Sequence, residues 1–270
     1  MTTTAADMPE TQVVVLDETT STNDFLKARP MPEGAKMLVA TARHQTAGRG
    51  QGANKWESEA GKNLLLSILV QPTMVPVAKQ FVLSMAGALA LKEALCRHAE
   101  GFTLKWPNDI YWHDSKISGT LIETSVSGHT LSRCIFGTGI NVNQRRFLGD
   151  APNPVSLCSI VGHEIPVEDV LTDVLTAFRK YYRMAAEADY QEVARLYHES
   201  LYRRDGFHKY RDAGGTFSAR ISGVGLDGRL HLTLSGGEER TYAFKEVAFV
   251  LPKDKQQETN NITNRTHGKV

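Results

Sequence analysis

The sequence predicts an α/β fold, a β-sheet backed by helices and followed by a small all-β unit, and three observations carry that prediction. Apolar runs of strand length occupy the N-terminal half, among them VVVLDE at 13–18, MLVATAR at 37–43, NLLLSILV at 63–70 and RCIFGTGINV at 133–142. Helical spacing takes over at 77–98 and again from 167 to about 204. From Phe217 onward the chain changes to short strands separated by glycine turns.

Each element has a local reason. Ser21, Thr22 and Asn23 follow the first strand with N-cap chemistry, which predicts a short helix through Arg29. Ala78, Phe81, Val82, Met85 and Leu89 recur at helical spacing, so 77–98 reads as an amphipathic helix packed on the sheet. Phe102, Leu104 and Trp106 share one face of a strand, with Thr103 and Lys105 on the other. Pro107 ends that strand, and Asn108 and Asp109 are expected to make the turn of a hairpin. After GDAPNPVSL, the positions Val167, Val170, Leu171, Val174, Leu175 and Phe178 keep the 3.6 period, and YQEVARLYHESLYRR continues it. Asp227-Gly228 between alternating apolar runs marks a hairpin. A boundary is expected near 205–215, dividing the chain into a loose tail (1–11), a large unit (12–210), a small β unit (211–252) and a polar, disordered tail (253–270).

Composition narrows the function. With 31 basic and 30 acidic residues the net charge is +1, so charge gives no reason to expect nucleic acid or an anionic membrane as partner. Cys96, Cys134 and Cys158 are odd in number and form no CxxC, which points to a reduced, cytoplasmic protein without a disulfide framework or zinc site. No export signal and no run of eighteen apolar residues are present. GVGLDG at 223–228 fits GxGxxG, but a hairpin rather than a helix follows, so it reads as a β-turn.

Two segments stand out. HQTAGRGQGANKWESEAGKN (44–63) combines Gly48, Gly50 and Gly52 with Arg49 and Trp56, the parts of a clamp for an anion and an aromatic ring. Locally it reads equally well as a surface loop ending on a core tryptophan. LKWPNDIYWHDSKISGTLIE (104–123) sets Lys105 and Lys116 around Trp-Pro-Asn-Asp and ends on a carboxylate. Alone it reads as a solvated hairpin; both lysines aimed at one anion is the alternative.

Five motifs in order decide between them: Ser21-Thr22-Asn23, Gly48-Arg49-Gly50 before a tryptophan, Lys105 through Asp109, Lys116-Ile117-Ser118-Gly119, and Gly137 through Asn141. With these the sequence resembles the biotin protein ligases over roughly 13–252. The resemblance implies a mixed sheet backed by helices, of the class II synthetase and lipoate-ligase type, in 12–210, and an SH3-like barrel in 211–252. It implies that biotin and MgATP give biotinyl-adenylate, whose biotinyl group passes to a lysine of a biotin carboxyl carrier protein. Lipoate or octanoate transfer by the same superfamily is the alternative. With about a dozen residues before the first strand, no repressor role or nucleic acid partner is expected, and the lack of a long apolar run gives the same expectation for a membrane; a monomer and a homodimer both occur in the family.

By the same resemblance Lys105, Arg49, Lys116 and Asp109 are catalytic. Ser21, Thr22, Asn23, Gln45, Gly48, Gly119 and Gly137, with Arg49 and Lys116, surround biotin. Gly50, Gln51, Trp56, Asn108 and Asn141 hold the nucleotide, Trp56 by stacking on adenine. Asn108 and Asp109 orient the site or help to hold Mg2+, and no protein-only metal site is expected. In the family further arginines often stand between the second glycine and the tryptophan, whereas this chain has Gln51, Gly52, Ala53 and Asn54. Loop closure that relies less on charge, and weaker adenylate retention, are expected.

Overall fold

The computed structural model describes residues 10–52, 54–149 and 153–251. The tail expected at 253–270 lies outside them. So do residues 1–9 of the N-terminal one, but β1 (Thr11–Thr19) already starts at Thr11, because that residue pairs with Met37.

Seven strands form the main sheet in the order β1-β2-β3-β7-β6-β5-β4, where β2 is Met37–Gln45, β3 Leu64–Val70, β4 Phe102–Lys105, β5 Asp109–Trp112, β6 Ser115–Ser127 and β7 Thr130–Ile140. β1 and β2 are parallel and the other neighbours antiparallel, so the sheet is mixed. β3 is buried throughout, as its apolar run, interrupted only by Ser67, requires of a strand covered on both faces.

The two faces divide by strand alternation. Met37 and Val39 of β2, with Leu64, Leu66, Ile68 and Val70 of β3, join the large core, while Leu38, Ala40 and Leu69 join a smaller core under α1 (Thr22–Lys27). The large core is closed by α2 (Phe81–Leu95), α4 (Val167–Ala186) and α5 (Tyr190–Glu199). A short α3 (Leu157–Val161) precedes α4. Burying so many full aliphatic side chains supplies most of the drive to fold, about 1.5–3 kcal/mol for each large one.

Two expectations about helices change. The helix read at 77–98 is limited to Phe81–Leu95, after a single 3-10 turn at Val77–Lys79. It is buried nearly all round rather than amphipathic, because α4 covers the side that the sheet leaves open. Ser21 occupies the N-cap position of α1 but makes no side-chain capping bond. α4 keeps its predicted stripe, with Val170, Leu171, Val174, Leu175 and Phe178 buried.

The small sheet is antiparallel in the order β11-β10-β9-β8-β12, from β8 (His208–Asp212), β9 (Gly215–Val224), β10 (Leu230–Leu234), β11 (Glu239–Tyr242) and β12 (Ala248–Phe249). GVGLDG is the end of β9 and its turn to β10, where the Gly225 N–H donates to the Arg229 carbonyl. That turn docks on the main unit: Trp106 Nε1 donates to the Gly228 carbonyl at 3.0 Å, and Gly228 lies against the Phe81 ring, where a Cβ would come within 2.7 Å of it.

Candidate active site

Antiparallel register places one row of residues side by side across the sheet. Lys105 pairs with Asp109, Asp109 with Gly119, Gly119 with Gly139, and Gly139 with Leu65. The next row holds Leu121, Gly137 and Ser67, and the third Glu123, Ile135 and Leu69. All belong to the face that carries α1. Glycines at 137 and 139 leave the middle of this face without side chains. A Cβ on Gly137 would overlap the Asn23 amide, and one on Gly139 would overlap the Trp56 indole.

At one end of the rows a cleft of about 480 Å³ opens, walled by Lys105, Asn108, Asp109, Lys116, Gly119, Arg49, Gly50, Gln51 and Trp56 from the main unit and by Phe244, Lys245 and Phe249 from the small sheet. A β-bulge at Ile110 and Tyr111 shifts the β5–β6 register so that Lys116 faces Tyr111, and its Nζ reaches Asp109 Oδ1 at 2.8 Å. Asp109 is the first residue of β5, not part of the turn as expected; the turn is Trp106, Pro107 and Asn108, with a cis Trp106–Pro107 bond. Three neighbours fix it: the Tyr197 hydroxyl donates to the Pro107 carbonyl at 2.9 Å, Trp106 is tied to Gly228, and the Asn108 amide donates to the Thr120 carbonyl.

Lys105 has an unusual setting. Its Nζ lies 5.1 Å from the Tyr111 ring centre and 5.3 Å from that of Phe249, and among the described residues it makes no ion pair or hydrogen bond. Burial, the largest influence, pulls its amine below the ordinary lysine value; Lys116 and Arg203 act the same way and Asp109 opposes them. A desolvated cation with unused donors is available to an anion entering the cleft. The two lysines of the 104–123 stretch therefore do meet at one place, with Asp109 between them.

Beside the cleft lies a polar cluster. Thr22 N–H and Oγ1 donate to Gln45 Oε1 at 2.7 and 3.0 Å. Ser67 Oγ lies 2.7 Å from Thr22 Oγ1 and 2.6 Å from Asn23 Oδ1. Asn23 Nδ2 donates to Glu123 at 2.8 Å, and the same carboxylate takes Lys27 at 2.6 Å and Arg49 at 3.3 Å. Arg49 also pairs with Asp24 at 2.7 Å. Burial pulls the Glu123 carboxyl upward, but the bonds from Lys27 and Asn23 and the charge of Arg49 outweigh it and hold the group below the usual carboxylate range.

The glycine segment is a hairpin arm: Arg49 bridges Lys55, Gly50 N–H donates to the Asn54 carbonyl at 2.7 Å, and Trp56 N–H to the Gly48 carbonyl at 3.0 Å. A Cβ on Gly48 would lie 2.6 Å from the Trp56 carbonyl, so glycine is needed for the close approach. The Trp56 indole covers Gly139, with Lys116 Nζ 5.9 Å from its ring centre, and its buried Nε1 has no hydrogen-bond partner among the described residues.

Of the expected residues, Lys105, Asn108, Asp109, Lys116, Gly119, Arg49, Gly50, Gln51 and Trp56 meet at the cleft, and Thr22, Asn23, Gln45 and Gly137 in the polar cluster. Ser21 is buried at the start of α1, and Gly48 supports Trp56. Asn141 stands apart: it is buried, and its amide donates to the Val155 carbonyl at 3.1 Å, so it ties the end of β7 to the segment before α3 instead of walling the cleft. Ser67, Glu123, Tyr197, Phe244 and Phe249 were not foreseen. Ser67 is the one polar residue in the apolar run of β3, and Glu123 is the carboxylate ending the 104–123 stretch; both were visible signals.

The model of the family described as Biotin/lipoate A/B protein ligase matches residues 15–141, which hold every residue named above as an expected site residue. The biotin–[acetyl-CoA-carboxylase] ligase of Paracoccus denitrificans is 33% identical over 175 residues, covering 62% of this chain and 71% of that protein. The chain belongs to the biotin/lipoate A/B protein ligase family. Within it, the bifunctional ligase/repressor BirA of Bacillus subtilis is 29% identical over 236 residues, which is 85% of this chain and 70% of BirA. A solved structure described as biotin protein ligase from Aquifex aeolicus in complex with biotin and ATP aligns with a TM-score of 0.73 at 26% identity, over 89% of this chain and 99% of that one.

Among the described residues no group of three or more His, Cys, Asp or Glu is placed to hold a metal ion. Asp109 is the one carboxylate at the cleft wall among the described residues, and it is engaged by Lys116. A lone carboxylate beside several cations fits a Mg2+ carried in on a nucleotide, which Asp109 would help to hold.

Proposed function

We propose that this protein is a biotin protein ligase, which activates biotin with MgATP and transfers the biotinyl group to a lysine of a biotin carboxyl carrier domain. The observation that carries this reading is that Lys105 and Lys116 flank Asp109 at the end of the glycine row, Lys116 paired with it and Lys105 unpaired among the described residues. In the first step a carboxylate oxygen attacks the α-phosphorus, the bond to the β-phosphate oxygen breaks, and pyrophosphate leaves with the electron pair. Two anions must approach, so the fixed cations Lys105, Lys116 and Arg49 offset their repulsion and the charge that builds up on the phosphate. Thr22, Asn23, Gln45 and Ser67 supply the paired donors and acceptors that a buried ureido ring needs. Mg2+, when bound with the nucleotide, neutralises phosphate charge, with Asp109 and Asn108 at hand to orient it. In the second step the carrier lysine attacks the anhydride carbonyl and AMP leaves.

The carrier partner is that of a carboxylase; a protein rather than nucleic acid partner agrees with the near-neutral charge. No helix among the described residues is long and apolar enough to cross a membrane, and the cysteines are free, which supports a cytoplasmic site of action. The boundary expected at 210 falls inside β8 of the small sheet, so we divide the chain just before His208 into the ligase unit and the small β unit.

The test is exchange of labelled pyrophosphate into ATP with biotin, lipoate or octanoate as the acid. Exchange with biotin alone is expected. Exchange with lipoate or octanoate alone would move the assignment to the sister activity of the family.

A further inference from the structure

The small sheet places a lysine where the glycine arm lacks cations. Lys245 lies on the turn between β11 and β12, at the wall of the cleft, and a Cβ built on Gly52 would stand 2.6 Å from its Nζ. Its amine thus reaches across from one sheet to the tip of the arm of the other. Among the described residues Lys245 makes no ion pair or hydrogen bond, and its one electrostatic contact is the Phe244 ring at 5.8 Å. Its backbone has φ 71°, a left-handed conformation that disfavours a residue with a Cβ, and such strain collects at ligand clamps.

The charge balance of the cleft gives this amine a task. Arg49, Lys55, Lys105, Lys116 and Lys245 wall it, against the single carboxylate Asp109. Arg49, Lys105 and Lys116 are assigned above to the attacking carboxylate and the α-phosphate, and Arg49 and Lys116 also hold Asp24, Glu123 and Asp109. Lys105 is half-buried at the root of the cleft and Lys55 is exposed on the arm itself, so the exposed cation that the small sheet supplies is Lys245.

We propose that Lys245 binds the terminal phosphates of the nucleotide, and the pyrophosphate they become, and so draws the glycine arm onto the small sheet. This rests on the ligase reading above. Lys245 takes over a charge that Gln51, Gly52 and Asn54 do not carry, and it stabilises pyrophosphate as the α–β bond breaks and the leaving oxygen gains its electron pair.

The experiment compares wild type, K245M and K245R in biotin-dependent pyrophosphate exchange, with calorimetric titration of inorganic pyrophosphate alongside. K245M should raise KM for ATP and for pyrophosphate about tenfold with KM for biotin changed less than about twofold, and K245R should restore both. Titration should show weaker pyrophosphate binding to K245M than to wild type. Unchanged nucleotide and pyrophosphate constants in K245M, an equal rise in the biotin constant, or no rescue by K245R would each overturn the assignment. The titration needs no acid substrate, so wild type that binds pyrophosphate through Lys245 without biotin-dependent exchange would refute the ligase reading while sparing this one.

Discussion

Arg49 and Glu123, on the glycine arm and on β6, stand 3.3 Å apart, and Lys27 and Asn23 share the same carboxylate. Glu123 therefore joins three of the features expected separately of the site: the α1 asparagine, the arm and the sheet face. It also fixes Asn23 so that its carbonyl oxygen, not its amide nitrogen, points to Ser67.

Glu123→Gln should loosen this joint, since one oxygen becomes a donor facing Lys27 or Arg49. A stability loss of about 1–3 kcal/mol is expected, with biotin affinity falling more than ATP affinity. Because the folded carboxyl is held below its unfolded value, its contribution is complete above the ordinary glutamate range and is lost as pH falls through the folded value. Denaturant titrations across acidic pH should show the gap between wild type and E123Q closing in that window; a gap constant to the lowest pH would refute the assignment.

Removing the cation at the end of the row should affect chemistry more than binding. Lys105→Ala is expected to slow adenylation by about 10²–10³, roughly 3–4 kcal/mol, with a smaller change in biotin affinity. Equal losses in both would contradict a transition-state role.

The same lysine sets an alkaline limit. Its amine is depressed by burial, so the fold disfavours its proton and the charge is lost below the ordinary lysine range. The pH profile of pyrophosphate exchange should fall on the alkaline side from that point, and Lys105→Arg, where some activity survives, should move the fall upward. An alkaline limb identical in the two proteins would assign it to another group.

Gly139→Ala places a methyl group inside the Trp56 ring position. The indole should be displaced toward solvent, giving a red-shifted tryptophan emission that is absent when Trp56→Phe is combined with it. A stability change of about 1–3 kcal/mol is expected. Emission unchanged from wild type would mean that the indole does not rest on Gly139.

Retention of the activated intermediate is the remaining test of the arm. Gln51→Arg together with Asn54→Arg should slow dissociation of biotinyl-adenylate relative to wild type, as measured by its chase from the protein. Equal rates would show that charge on the arm does not govern retention.

Strands, the α4 stripe and the Asp227-Gly228 turn were legible because each rests on local patterning: VVVLDE, NLLLSILV and Asp227-Gly228 hold their meaning within a few residues. The amphipathic reading of α2 failed because its outer face is covered by α4, about eighty residues away in sequence. At the site, the residues on β4, β5 and β6 were legible as a motif. Asn141 departed from expectation because the segment before α3 takes its amide, a contact that the spacing of Gly137 through Asn141 does not encode. Lys245 and Phe249 were hidden for the same reason, since docking of one sheet on another leaves no periodic trace.

The row Lys105, Asp109, Gly119, Gly139 exists through pairing register alone. Deleting one residue within β6 would turn Thr120 and Thr138, now a buried hydroxyl pair 3.2 Å apart, out of step and rotate side chains to the opposite face. Length changes in the strands should thus be far less tolerated than substitutions at Gln51 and Asn54 on the arm, which leave that register untouched.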